Sequence, residues 1–154
     1  MIVASANLND FIPDGCIHFA NPAGFIEAAK LTSELLTKAG IAPNNYSDEV
    51  EKLITSEGPY MVITPQVAVV HGRPSPGQTK TAAAVLISGE DLISGHGKND
   101  PVRVIFAISA HSSDAHINML RTLSEFLIQP GSVSKLIGCS TVSEVRDILS
   151  WSLP

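Results

Sequence analysis

The sequence predicts an α/β protein, a three-layer α/β/α sandwich in which helices cover both faces of a central mixed β-sheet. Apolar residues recur at helical spacing in the first and last thirds of the chain. Between them lie short, continuous apolar runs, which are typical of strands buried on both faces. With 154 residues, 44% of them hydrophobic and 16% charged, the chain is expected to form a single domain over residues 1–154.

Two helices are predicted in the first third. Residues 1–20 show no regular pattern and are expected to be irregular. Asn21-Pro22 resembles a helix cap followed by proline in the first turn, and Gly40 suits the other end of that helix. A second helix is expected between Pro43 and Gly58. The apolar positions of the second helix are Tyr46, Val50, Leu53 and Ile54.

Four strands are predicted in the middle of the chain. They are rich in β-branched and small apolar residues, and Thr64-Pro65 separates the first two. The segment 94–101, with two glycines and a proline, is expected to be a loop. The predicted strands cover residues 61–63, 67–70, 81–88 and 102–110.

The last third is predicted to be helical. A helix is expected to begin near Ser112-Ser113, and a final helix begins at Thr141, where Glu144 completes a capping box. The predicted apolar face of the first of these helices contains Ile117, Leu120, Leu123, Phe126 and Leu127.

Composition excludes several functional classes. The formal net charge of −5 argues against a nucleic-acid-binding protein. No apolar run reaches the roughly 18 residues of a membrane span, and the amino terminus lacks a signal-peptide pattern, so a cytoplasmic location is expected. Cys16 and Cys139 are far apart and belong to no Cys/His ladder. Neither a metal nor a cofactor is therefore predicted.

One motif resembles a nucleotide-binding P-loop but lacks its chemistry. The segment 72–79 has the right glycine spacing, yet Gln78 stands where the phosphate-binding lysine belongs. Pro74 and Pro76 each remove a backbone N–H that phosphates would need. A nucleotide site is therefore not expected here.

His71 is the strongest candidate for a reactive side chain. It ends the apolar run Val67–Val70 and is followed by Gly72-Arg73. A backbone carbonyl at a strand end could hold one ring nitrogen as a donor and leave the other with a lone pair, which makes a neutral imidazole nucleophilic. Gly72 would allow close approach of a partner's backbone, and Arg73 could clamp phosphate oxygens. A hydrogen-bonded structural histidine and an ordinary surface arginine are the alternatives.

His116 is the second candidate, because it falls where a helix should begin. The free N–H groups and the dipole of that turn attract anions and disfavour imidazolium. A neutral His116 could donate a hydrogen bond to a phosphoryl oxygen; an ordinary histidine at a helix start is the alternative. His111 lies five residues earlier, about 140° away around a helix, so the two are poor joint metal ligands.

An ordered set of motifs resembles the IIA components of the bacterial sugar phosphotransferase system (PTS). The resemblance is to the mannitol/fructose-type superfamily and, within it, to the L-ascorbate-specific branch, in which Gly-Pro-Tyr and His-Gly-Arg-Pro occur together. It extends from about Ala23 to Leu149. The motifs are Gly58-Pro59-Tyr60, His71-Gly72-Arg73-Pro74, Lys80-Thr81, Asn99-Asp100-Pro101-Val102 and Ala115-His116.

The resemblance implies a phosphoryl carrier. The histidine at the position of His71 would accept a phosphoryl group from the phosphocarrier protein HPr and pass it to a cysteine of the IIB component. The membrane IIC component would couple this transfer to sugar uptake. The histidine at the position of His116 would bind the phosphoryl group by a hydrogen bond. The family fold is a sandwich around a mixed sheet.

Two departures from the family pattern leave other functions open. The family usually has proline where this chain has Val70, and the arginine that mannitol-type members carry upstream is missing from residues 55–57. The second departure favours the ascorbate-like branch. A regulatory protein that signals by phosphorylation-dependent binding, and a binding domain that is no longer phosphorylated, are the alternatives to a transport carrier.

Overall fold

A computed structural model describes residues 7–72, 78 and 80–150 of the chain. In chain order the elements are a 3₁₀-helix (Leu8–Phe11), β1 (Ile17–Ala20), α1 (Phe25–Lys38), α2 (Tyr46–Glu57), β2 (Val62–Thr64), β3 (Val67–His71), β4 (Ala82–Leu92), β5 (Val102–Ser109), α3 (Ser113–Leu127), α4 (Ser132–Ile137) and α5 (Val142–Leu149).

The strands form a mixed five-stranded sheet in the order β1-β4-β5-β3-β2. β1 is parallel to β4 and β3 is parallel to β5, whereas the β4–β5 and β2–β3 pairs are antiparallel. In the β3–β5 pair, His71 lies opposite Ile108. His71 is therefore the last residue of a strand that is paired on both sides by neighbours in the sheet.

Helices cover the sheet on both faces. α1 packs on β3, β4 and β5 and against α2, whereas α4 packs on β4 and β5 and against α3 and α5. All but one of the β5 side chains are buried. The prediction of an α/β/α sandwich around a mixed sheet is confirmed, and so is the inference that continuous apolar runs are strands covered on both faces.

Most of the predicted helix ends are confirmed. Gly40, with φ of 78°, follows the end of α1, and Gly58, with φ of 83°, ends α2. Ser112 caps α3 through a hydrogen bond from Ala115 N–H, and Thr141 and Glu144 form the predicted capping box of α5. The two glycines adopt the positive φ that is common after the end of a helix, and the two polar side chains accept hydrogen bonds from free backbone N–H groups in the first turn.

Several sequence-based expectations were wrong. Residues 1–20 are not wholly irregular, because they contain the 3₁₀-helix and β1, a short, half-exposed strand with a weak apolar pattern. α1 begins at Phe25, after Gly24, and not at Asn21-Pro22. Asn21 instead packs against β4, where a Cβ added to Gly89 would lie 2.2 Å from its Oδ1.

The predictions for the carboxy-terminal third need two further corrections. α4 was missed, because its six residues are too few to show a helical period. Ile117 does not belong to the buried face of α3, since its side chain is 57% exposed. The buried residues of α3 are Met119, Leu123 and Phe126.

Arg146 of α5 binds the amino-terminal segment to the carboxy-terminal one. Its guanidinium donates to Asn9 Oδ1 at 2.8 Å, to Ile12 O at 2.7 Å and to Pro13 O at 3.1 Å. It also lies 3.7 Å from a carboxylate oxygen of Asp14. The exposed ion pair contributes little to stability. The Ile12 carbonyl and the Asn9 amide oxygen receive hydrogen bonds from this guanidinium, whereas Pro13 O also accepts from Cys16 N–H.

We therefore predict that Arg146→Ala lowers the free energy of unfolding by about 1–3 kcal/mol, the cost of leaving such acceptors unpaired. Urea denaturation followed by circular dichroism measures the change. Arg121→Ala, at an exposed position of α3, is the matched control and should change stability by less than about 0.5 kcal/mol. Equal midpoints for the two variants would contradict the structural role of Arg146.

Candidate functional site

His71 is held by its own strand. Its Nδ1 lies 3.3 Å from the carbonyl oxygen of Val69. Because a carbonyl only accepts, Nδ1 carries the proton in this contact, and Nε2 keeps its lone pair. The arrangement agrees with the expectation that a backbone carbonyl at the strand end fixes one tautomer, which is the neutral form suited to nucleophilic attack.

His116 lies beside His71. Their ring centroids are 4.9 Å apart, and the ring planes are inclined by 60° in an edge-to-face arrangement. The first turn of α3 positions the second ring, since His116 N–H donates to Ser112 O at 3.0 Å and the Ser112 hydroxyl accepts from Ala115 N–H. The structure thus brings together the two histidines that the sequence singled out.

Burial favours the neutral form of both rings. It lowers the pKa of His71 below its ordinary value, and the nearby His116 lowers it further, while the hydrogen bond to Val69 acts in the opposite direction. Burial also lowers the pKa of His116. The direction for His116 is the expected one, but desolvation is the cause, where the sequence had suggested the helix dipole.

Tyr46 and Glu49 of α2 lie against Gly72, the residue that follows His71. The Tyr46 hydroxyl accepts a hydrogen bond from Gly72 N–H at 2.9 Å and donates to the carbonyl of Ile108. A Cβ added to Gly72 would lie 2.8 Å from the Tyr46 ring and 2.9 Å from the Glu49 carboxyl carbon. The close neighbours of Gly72 are thus side chains of the chain itself, where the sequence had suggested a partner's backbone.

Gln78 has a structural role that the sequence did not reveal. Its side chain is 2% exposed, and its Oε1 accepts from Ser109 Oγ at 2.9 Å and from Ala110 N–H at 3.0 Å. The residue that disqualified a P-loop thus binds the end of β5. Arg73, the candidate phosphate clamp, lies outside the described residues.

An open cleft of 370 Å³ adjoins His71. Its exposed rim includes Tyr60, which is 47% exposed. Its lining residues are Leu53, Glu57, Tyr60, His71 and Gly72. An open surface of mixed polar and apolar character beside a buried histidine suits contact with another protein better than enclosure of a small molecule.

The other histidines lie apart from this pair. His111 contacts Thr81 Oγ1 through Nδ1 at 3.2 Å, and His96 Nδ1 accepts from Asn99 N–H at 3.1 Å. Within residues 7–72, 78 and 80–150, no cluster of three metal-ligating side chains is found. In the same ranges, no helix is both long and apolar enough to cross a membrane.

Comparison with known proteins identifies the family. The model of the phosphoenolpyruvate-dependent sugar phosphotransferase system, EIIA 2, matches residues 12–151. The chain belongs to this family. As a PTS EIIA protein it shares its fold with a solved relative, the mannitol-specific cryptic phosphotransferase enzyme IIA of Escherichia coli, at a TM-score of 0.84 and 25% identity over 94% of this chain and 99% of that one.

Curated relatives of this EIIA protein carry two different sugar names. The mannitol-specific cryptic phosphotransferase enzyme IIA component of E. coli K12 is 27% identical over 93% of this chain and 97% of its own length. The ascorbate-specific EIIA component of Salmonella typhimurium LT2 is 29% identical over 80% of each chain. Similarity of this degree to both groups assigns the family and leaves the sugar open.

The lowered pKa values predict the protonation behaviour of the site. A folded protein in which the pKa of a histidine is lowered binds fewer protons than the unfolded chain, whose histidines titrate near about 6.5. The stability contributed by the neutral pair is therefore complete above that pH and is lost as the pH falls through the lowered values. NMR titration of the ring protons should place both midpoints below about 6.5.

A His116→Gln variant separates the effect of burial on the His71 pKa from the effect of His116. Because His116 adds to the lowering of the His71 pKa, this substitution should raise the His71 midpoint while leaving it depressed by burial. His18→Gln, on the edge strand β1, is the control and should leave the midpoint unchanged. A His71 midpoint at or above the unfolded value in the unsubstituted protein would contradict a neutral, desolvated site.

Proposed function

We propose that this EIIA protein is a phosphoryl carrier that accepts the group from phospho-HPr on His71 and passes it to a cysteine of a IIB component. The observation that carries the proposal is the 3.3 Å contact between His71 Nδ1 and Val69 O, from which we infer a proton on Nδ1 and a lone pair on Nε2. The family supplies the direction of transfer, and the buried, neutral imidazole supplies the nucleophile.

Each transfer exchanges one bond to phosphorus for another. The Nε2 lone pair of His71 forms an N–P bond as the bond between phosphorus and the donor atom of phospho-HPr breaks, and the released electron pair stays on that donor atom. In the second transfer the IIB thiolate forms an S–P bond, and the electron pair of the breaking bond returns to His71 Nε2. No bond requires a metal or nucleotide, so catalysis consists of alignment and charge stabilisation.

His116 supplies a neutral hydrogen-bond donor in this proposal. Its ring lies edge-to-face with His71, and its pKa is lowered. A neutral donor stabilises the phosphoryl oxygens less than a cation would, which suits a carrier that must release the group as well as accept it. We assign Arg73 the role of a second ligand to those oxygens, because a guanidinium can form a bidentate clamp on a phosphoryl group.

The proposed partners are HPr, a IIB component and, through it, the membrane component IIC. A IIB partner is supported by a structural neighbour, the complex of E. coli enzyme IIA mannitol with phosphorylated enzyme IIB mannitol (TM-score 0.78, 21% identity).

We propose that transfer occurs in the cytoplasm, within one domain spanning residues 1–154. An ascorbate-like substrate follows from the His71-Gly72-Arg73-Pro74 motif, with a mannitol-type sugar as the alternative.

The carrier role predicts a phosphohistidine at His71. Incubation with phosphoenolpyruvate, enzyme I and HPr should add ~80 Da, the mass of one transferred phosphoryl unit. Peptide mapping under neutral conditions should locate the group. The gain should disappear in His71→Ala and persist in His18→Ala. A gain that maps elsewhere, or none with a competent enzyme I and HPr, would sink the proposal.

The donor role of His116 predicts a selective loss of rate. His116→Ala should slow phosphorylation of His71 on the order of 10²-fold, the usual effect of removing one preorganised donor to developing charge. His111→Ala, a histidine bound to Thr81, is the matched control and should retain the rate. Rapid-quench kinetics with excess phospho-HPr measures both, and equal rates would remove His116 from the mechanism.

A further inference from the structure

The ladder between β3 and β5 is interrupted one step beyond His71. Val104 N–H donates to Gln66 O at 3.0 Å, and this bond determines which residues of β3 and β5 donate to the other strand. Because donors recur every second residue along each strand of a parallel pair, the next donor past the end of β3 is Gly72 N–H. Its ladder acceptor would be the carbonyl of Ile108, the residue opposite His71.

The Tyr46 hydroxyl takes the place of this backbone hydrogen bond. It accepts from Gly72 N–H at 2.9 Å and donates to the Ile108 carbonyl, so the two backbone groups share one side-chain oxygen and do not meet directly. The chain at Gly72 is thereby held away from β5 by the width of a hydroxyl group. The two strands separate at the point where the His71 side chain leaves the sheet.

The rest of the Tyr46 side chain holds the hydroxyl in this position. Tyr46 is 1% exposed, and its ring packs so closely on Gly72 that no Cβ would fit between them. Burial raises the pKa of Tyr46 to about 12, so the hydroxyl keeps its proton across the physiological range. It therefore donates to Ile108 and accepts from Gly72 at every pH at which the protein works.

We propose that Tyr46 is a positioning residue for His71: its hydroxyl, bridging Gly72 N–H and Ile108 C=O, sets the path of the chain that leaves β3 and so the orientation of the imidazole. The proposal rests on the proposed phosphoryl-carrier function. Tyr46 is too deeply buried to touch a donor protein, so its effect reaches the reaction only through the backbone at Gly72.

Tyr46→Phe tests the proposal, because it removes the hydroxyl and keeps the ring. Gly72 N–H and the Ile108 carbonyl should then form a direct hydrogen bond, and Gly72 should move toward β5. The rate constant for phosphoryl acceptance should fall roughly 10–10²-fold, as small misplacements of a reacting group do. The KM for phospho-HPr should remain the same, since the docking surface is untouched.

A stability-matched control separates positioning from general damage. Thr141→Ala removes the cap of α5, on an element that does not contribute to the site, and should lower stability while retaining the acceptance rate. The ¹⁵N signals of the His71 ring give a second, reaction-free readout. They should show Nδ1 protonated in the unsubstituted protein and in Thr141→Ala, and a changed tautomer or hydrogen-bond shift in Tyr46→Phe.

The outcomes distinguish this inference from the carrier function itself. A reduced rate constant with constant KM, together with changed His71 ring signals, supports the positioning role. An unchanged rate constant and unchanged ring signals in Tyr46→Phe overturn it. If even the unsubstituted protein accepts no phosphoryl group, the carrier function fails, and the ring signals alone decide whether Tyr46 positions His71.

Discussion

The position of the last residues of β5 is the constraint on which the site depends. The Ile108 carbonyl receives the Tyr46 hydroxyl, and the Ser109 and Ala110 groups bind Gln78, so both ends of the segment after His71 are anchored to this strand. The same strand leads directly into α3 and thereby into His116. Because β5 is paired on both sides and almost wholly buried, it holds the two histidines in a fixed position relative to each other.

Desolvation makes this geometry chemically useful. An imidazole in water near neutral pH is partly protonated, and the protonated form has no lone pair to attack phosphorus. Burial against His116 favours the neutral ring, and the bond to Val69 O assigns the proton to one nitrogen. In the proposed transfer, the neutral ring of His116 would bind the phosphoryl group less strongly than a second cation beside Arg73 would, which favours onward transfer.

Much of this could be predicted from the sequence, because the relevant signals are local. The run that ends at His71, the serine that caps α3 and the glycine that ends α2 each act within a few residues of themselves, and each prediction was confirmed. β1 was missed because four half-exposed residues carry little periodicity. Asn21 misled the prediction of the α1 start, because a contact with β4 overrides its capping preference.

The contacts made by Tyr46 and Gln78 could not be predicted in the same way. Tyr46 was correctly placed on the apolar face of α2, yet its hydroxyl acts on Gly72 and Ile108, which are 26 and 62 residues away. Gln78 was considered only as a failed P-loop lysine, whereas its role depends on β5, more than 30 residues later. Such contacts arise from the pairing of strands in the sheet, which a linear pattern does not encode.

The proposed function requires Nε2 of His71 to be the nucleophilic nitrogen. The most direct test is to phosphorylate the ¹⁵N-histidine-labelled protein and to determine by ³¹P–¹⁵N correlation NMR which ring nitrogen is bonded to phosphorus. We expect a phosphorus–Nε2 bond, with Nδ1 still protonated and directed at Val69 O. A bond to Nδ1 would show that the Val69 contact is broken during the reaction and would contradict the role proposed for Nε2.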